Sequence, residues 1–163
     1  MSSLQAAYRE SVLPDQASFC ITLGVGSRLD HIQLVRAAMD GVLNHLGIAQ
    51  SDIHFLELAV TEIVNNSFEH GYRGADDKRI EVRLEINGTE VQIDVIDDAP
   101  PFPKDQIYRL LDEPEPMPDP SEDWPARGHG LQIVRQIVDS ISLKSEMGRN
   151  CITLRKHVAL EED

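Results

Sequence analysis

The sequence predicts an α+β fold: a two-layer sandwich in which a mixed, mostly antiparallel sheet carries helices on one face. Three observations predict it. Apolar residues recur at helical spacing in three stretches, two strictly alternating runs are joined directly by Asn87-Gly88, and a further pair of strand-like runs closes the chain around Gly148. Helices and hairpins in this order give a largely antiparallel sheet with its helices packed to one side.

The first strand is expected in "SFCITLGV". Ser27 then stands where it can cap a helix whose apolar positions are Leu29, Ile32, Val35, Met39, Val42 and Leu46, and Gly47 ends it. A second helix is expected to start near Ser51 and Asp52, to turn Leu58, Ala59, Ile63 and Phe68 to its apolar face, and to close at Gly71 with a left-handed cap. Ile80, Val82, Leu84 and Ile86 alternate with polar residues, as do Val91, Ile93 and Val95, which predicts two antiparallel strands. From Asp112 to Pro125 the chain is dense in proline and acid and reads as a loop. After it, "RGHGLQIVRQIVDSI" opens an amphipathic helix with Leu131, Ile133, Val134, Ile137 and Val138 inward, and "ISLKSE" and "CITLRK" follow as strands.

Length and composition set limits. A chain of 163 residues, 41% hydrophobic, suffices for one compact domain, and residues 1–163 are read as a single domain. The formal charge of −13, with no basic stripe to offset it, speaks against nucleic acid as a partner. No run has the length or apolarity of a signal peptide or membrane span, so a cytoplasmic protein without a membrane partner is expected. Cys20 and Cys151 lack metal-site spacing and are expected to be reduced, buried thiols.

Three separated segments carry chemistry. In "ELAVTEIVNNSFEHGY", Glu62, Asn66 and His70 recur at four-residue spacing, which on a helix is one slowly drifting stripe. A carboxamide oxygen such as that of Asn66 is a hard ligand of the kind Mg²⁺ accepts, and a glutamate one turn earlier could orient or deprotonate a hydroxyl beside it. An ordinary polar helix face would show the same spacing. In "IDVIDDAPPF" a strand runs into Asp97 and Asp98 and a rigid turn. A carboxylate there can accept from an exocyclic amino group, although a solvated turn-forming Asp pair is common. In "RGHGLQIV" the glycines allow close backbone approach and open a helix whose free N–H groups suit phosphate oxygens. The third glycine of the dinucleotide fingerprint is missing.

Together and in this order, these segments resemble the GHKL (Bergerat-fold) ATPase superfamily, specifically its small anti-sigma-factor serine/threonine kinases. The likeness spans roughly residues 19–156: "TEIVNNSFEHGY" matches the N box, "DDAPPF" the first glycine box and "GHGLQIV" the second. The resemblance implies ATP and Mg²⁺, with Glu62 as general base, Asn66 as metal ligand, and His70 near the nucleotide as a structural or phosphate-side residue. It makes Asp97 the adenine-reading carboxylate, with Ala99 in the same box, and places Gly128, Gly130 and Leu131 by the phosphates. Residues 103–127 take the place of an ATP lid, and Arg127 either adds charge to the phosphates or is a surface arginine. Ala99 stands where the family commonly has glycine, so a turn requiring positive φ there would weaken adenine binding. A late-strand threonine that helps read adenine is replaced by either Asn150 or Cys151.

The implied function is an ATP-dependent serine/threonine kinase that phosphorylates a small antagonist protein and holds a sigma factor or another regulator. Homodimers are usual in that family. Two alternatives stand beside it: a module that binds ATP and sequesters partners without transfer, and a detached histidine-kinase catalytic domain.

Overall fold

A computed structural model describes residues 18–102 and 130–161. In chain order these form β1 (Ser18–Gly26), α1 (Leu29–His45), α2 (Gln50–Asn66) continuing into a π-helical turn (Ser67–Gly71), β2 (Arg79–Asn87), β3 (Glu90–Asp97), α3 (Gly130–Ile137), β4 (Ser140–Glu146) and β5 (Arg149–His157). The expected lid at 103–127, with the acidic proline-rich stretch, lies outside the described residues.

The five strands are ordered β1-β2-β3-β5-β4, and every neighbouring pair is antiparallel. The sheet is therefore wholly antiparallel among the described residues, where a mixed sheet was expected. The reason is topological. The hairpin β4–β5 inserts its second strand beside β3, so β4, which runs in the direction of β3, never pairs with it. Asn87 pairs with Glu90 across Gly88 and Thr89, one residue later than an Asn-Gly turn would fall, with Gly88 at φ +60°. In the second hairpin both central residues, Met147 and Gly148, take positive φ, the geometry that matches strand twist in a two-residue turn.

Alternation puts Ile80, Val82, Leu84, Ile86, Val91, Ile93, Val95, Ile152 and Leu154 on one face of the sheet, all buried. Against them pack Ile32, Val35, Met39 and Leu43 of α1, a buried line along α2, and Val134 and Val138 from α3 and its end. Each such fully buried aliphatic side chain stabilises the fold by about 1.5–3 kcal/mol. The opposite face is polar: Thr153 donates to Asp94 at 2.6 Å and Arg155 to Gln92 at 3.0 Å.

Several local expectations are corrected. Ser27 does not cap α1, whose N-cap is Arg28. Its buried hydroxyl donates instead to the Ala75 carbonyl and accepts from the Lys78 amide, which ties the loop before β2 to the end of β1. The core line of α2 runs through Ile53, Leu56, Ala59, Val60, Ile63 and Val64, while Leu58 lies half-buried beside it. The left-handed positions after α2 are Arg73 and Gly74, because the π-turn carries the helical chain past Gly71. Cys20 is exposed on the open face of β1, where Arg83 donates to its sulfur; Cys151 is half-buried, and burial pushes its thiol up.

Candidate functional site

Glu62 and Asn66 lie one turn apart near the end of α2, and both are half-buried. Beyond them the chain widens into the π-turn, marked by the Tyr72 amide donating to the Ser67 carbonyl, five residues back, at 2.8 Å. Such one-turn widenings inside helices are rare and concentrate at functional sites. Here the widening leaves His70 exposed, so the polar stripe of Glu62, Asn66 and His70 is not continued at α-helical pitch.

α3 packs against α2, and its first residue is Gly130. A β-carbon at Gly130 would overlap the Glu62 carboxylate where it now lies, so any larger residue there would make the acid swing aside from the helix start. Burial, with a smaller contribution from Glu69, raises the Glu62 carboxyl above the ordinary glutamate range. Asn66 keeps its amide nitrogen buried with no hydrogen-bond partner among the described residues. That nitrogen is a donor, so the orphan itself fits an acceptor atom of an added ligand, whereas a hard cation would be held by the side-chain oxygen. No cluster of three His, Cys, Asp or Glu that could hold a metal by itself occurs among the described residues. A cation here would need waters and phosphate oxygens to complete its shell.

Asp97 ends β3 and is only 3% exposed. Ser67 donates to its Oδ2 at 2.6 Å, while the Ala99 amide at 3.0 Å and the Asn150 side-chain amide at 2.8 Å donate to its Oδ1. Tyr72 joins the same corner: its hydroxyl accepts from the Asp98 amide at 2.9 Å and donates to the Arg79 carbonyl at 2.8 Å. Ala99 is buried and is not among the positive-φ residues, so the turn after Asp97 tolerates its β-carbon without backbone strain. That β-carbon faces Gly71, where a second one would lie 2.8 Å away. Of the two late-strand candidates, Asn150 meets Asp97, whereas Cys151 points to the other face beside Thr153.

The structure thus brings Glu62 to Gly130, and brings Asp97 together with Ala99. Leu131 is half-buried against the core, and Arg127 and Gly128 lie outside the described residues. Sequence reasoning missed Ser67, Tyr72 and the placement of Asn150. Ser67 had a readable signal, since it continues the buried line of α2 at helical spacing as a polar residue.

An antiparallel sheet with helices on one face, a helical glutamate set against the first residue of α3 and a buried strand-end aspartate are the features of a GHKL-type ATPase domain. Residues 25–156 match the model of the histidine kinase-like ATPase domain, and the chain belongs to that family. It is 24% identical over 142 residues to the serine-protein kinase RsbW of Bacillus thuringiensis (strain Al Hakam), covering 87% of each chain. It is likewise 24% identical to RsbW of Oceanobacillus iheyensis, covering 87% of this chain and 89% of that one. Among solved structures, the RsbU and RsbW domains of Rv1364c from Mycobacterium tuberculosis give a TM-score of 0.60 at 21% identity, over 86% of this chain and 32% of that one. The SiaB–SiaC complex from Pseudomonas aeruginosa gives 0.57 at 14% identity, over 98% and 99%. The catalytic domain of the histidine kinase ThkA gives 0.51 at 14% identity, over 86% and 99%. No helix among the described residues is long and apolar enough to cross a membrane.

Proposed function

We propose that this protein is an ATP-dependent serine/threonine kinase of the partner-switching kind, which phosphorylates a small antagonist protein and holds a sigma factor or other regulator on a separate surface. The observation that carries the reading is Glu62: a carboxyl raised by burial, set against the first residue of α3, one turn from an asparagine whose amide nitrogen has no hydrogen-bond partner among the described residues. A carboxylate shifted toward neutral pH is a better proton acceptor for a hydroxyl than an ordinary one.

In this reading Asp97 receives the adenine amino group, the N-terminus of α3 faces the phosphates, and Asn66 holds Mg²⁺. The ion would supply charge neutralisation between the phosphate oxygens and a strongly acidic protein. Glu62 accepts the proton of the attacking serine or threonine hydroxyl as that oxygen bonds the γ-phosphorus, the in-line bond to the β-phosphate oxygen breaks and ADP leaves. The added phosphate charge on the antagonist then weakens its complex with the kinase. The names of the curated relatives, serine-protein kinase RsbW, support serine as acceptor, and the SiaB–SiaC complex supports a protein partner for this kind of fold.

Incubation with γ-labelled ATP, Mg²⁺ and proteins co-purified from the native host tests this. Acid-stable label on a small partner is expected. Acid-labile label would instead indicate a histidine kinase, and ATP binding without any transfer would indicate a sequestering module.

A further inference from the structure

We propose that the outer edge of β1 is a docking site for an extended segment of a partner protein, which adds a strand to the sheet and turns apolar residues toward the helices and acidic residues toward Arg79 and Arg83. The proposal stands apart from the kinase reading. Among the described residues β1 pairs only with β2, in unbroken register from Ser18 opposite Asn87 to Gly26 opposite Arg79. Its other edge therefore offers the outward N–H and C=O groups of alternate residues. Sheet edges are ordinarily guarded by charge, proline, a bulge or short length. The edge strand β4 follows that rule, with seven residues that include Lys144 and Glu146. β1 breaks it: its nine residues, SFCITLGVG, hold no charge, no proline and no bulge. Only its end is closed, where the Gly26 amide donates to His31 Nδ1 at 3.0 Å.

Register gives the two sides of that edge different chemistry. Phe19, Ile21, Leu23 and Val25 stand opposite Ile86, Leu84, Val82 and Ile80 and so share the helix-covered face. Phe19 is 40% exposed and the other three are half-buried, whereas their partners on β2 are buried. An added strand with apolar residues at alternate positions would complete that burial while its backbone pairs with the edge. On the open face Arg83 donates to the Cys20 sulfur at 3.3 Å, and Arg79 reaches from β2 to Gly24, where a β-carbon would strike its guanidinium. Arg79 has no ion pair or side-chain hydrogen bond among the described residues, and the ion pair of Arg83 is with Glu85 at 3.5 Å. In a chain of net charge −13, two guanidinium groups at one edge select an acidic partner, and Arg79 is the stronger anchor because no described carboxylate competes for it. Cys20 and Gly24 are four residues apart, about 13 Å along a strand, so the matching segment reads acid, apolar, any residue, apolar, acid. A second copy pairing through β1 fits less well, since β1 brings no acid and would set its own arginines beside these.

The test is titration of the full chain with a fluorescently labelled peptide, acetyl-Thr-Glu-Val-Thr-Val-Glu-Val-Thr-amide, followed by anisotropy and by residue-resolved amide hydrogen exchange. Saturable binding is expected, with exchange slowed along β1 and unchanged along β4. The same peptide with glutamine for both glutamates is expected to bind about tenfold more weakly, the scale of two exposed ion pairs. Arg79→Glu, at an exposed position, is expected to weaken the glutamate peptide by a similar factor and to favour a peptide with lysine in both places. Methylation of alternate backbone nitrogens of the peptide should abolish binding, because the added ladder needs those donors. Absence of binding overturns the proposal, as does binding that leaves β1 exchange unchanged. Equal affinity for the glutamate and glutamine peptides overturns it too. A chain that is dimeric, with β1 amides protected before any peptide is added, makes a second copy the occupant and overturns the acidic segment.

Discussion

At the scale of single residues, Glu62 holds a conflict between stability and use. Burial raises its carboxyl in the folded state above its unfolded value. Below the unfolded value both states are protonated; as pH rises through the window up to the folded value the native state holds more protons, so the contribution of Glu62 to stability is lost. Glu62→Gln, neutral throughout, should therefore unfold at a higher temperature than wild type at neutral pH and lose this advantage in acid, as read by thermal unfolding at several pH values. A difference that does not change with pH would contradict the assignment. In the proposed role of base, Glu62 must be ionised, so the acid limb of the proposed kinase activity should lie above that of an ordinary carboxylate. The residues of this site were unequally legible. Glu62, Asn66 and Asp97 sit in spaced motifs, whereas the choice between Asn150 and Cys151 is made only once the register of β3 and β5 puts Asn150 opposite Asp97. Register is a long-range property that no local window contains.

At the scale of elements, the periods that announce helices and strands sit in short windows, and so α1, α2 and both hairpins were readable from alternation, helical spacing and turn glycines. The π-turn was not. The composition of "SFEHG" does not announce it, and the residues at its two ends make contacts remote in sequence, Ser67 to Asp97 and Tyr72 to Arg79 and Asp98. Ser27 was misread as a cap for the same reason, because its partner Ala75 is remote in sequence. The close approach of the π-turn to the loop after β3 is checkable. Gly71→Ala would set two β-carbons 2.8 Å apart at Ala99 and should cost about 1–3 kcal/mol of stability. Ala99→Gly in the same chain should restore most of it, giving a coupling in urea unfolding that independent sites would not show.

At the scale of the whole molecule, the C-terminal segment is stitched to the junction of the first two helices. The Ala49 amide donates to the Ala159 carbonyl and the Glu161 amide to the Gly47 carbonyl, both at 2.8 Å. Asp52 takes the Ala159 amide at 2.7 Å and lies 3.5 Å from the Lys156 ammonium, with both side chains largely buried. Asp52→Ala should therefore lower stability by about 2 kcal/mol in urea unfolding without changing nucleotide affinity, since the stitch lies away from Asp97 and Glu62. The proposed function rests on a division of labour between groups that would hold the nucleotide and one that would move a proton. Glu62→Ala separates them. Nucleotide affinity measured by titration should stay within a fewfold of wild type, because Asn66, Asp97 and the α3 N-terminus remain. Transfer of the γ-phosphate to the partner serine, measured in the same preparation, should fall by about a hundredfold or more. A variant that binds ATP normally and phosphorylates its partner at the wild-type rate would contradict the account.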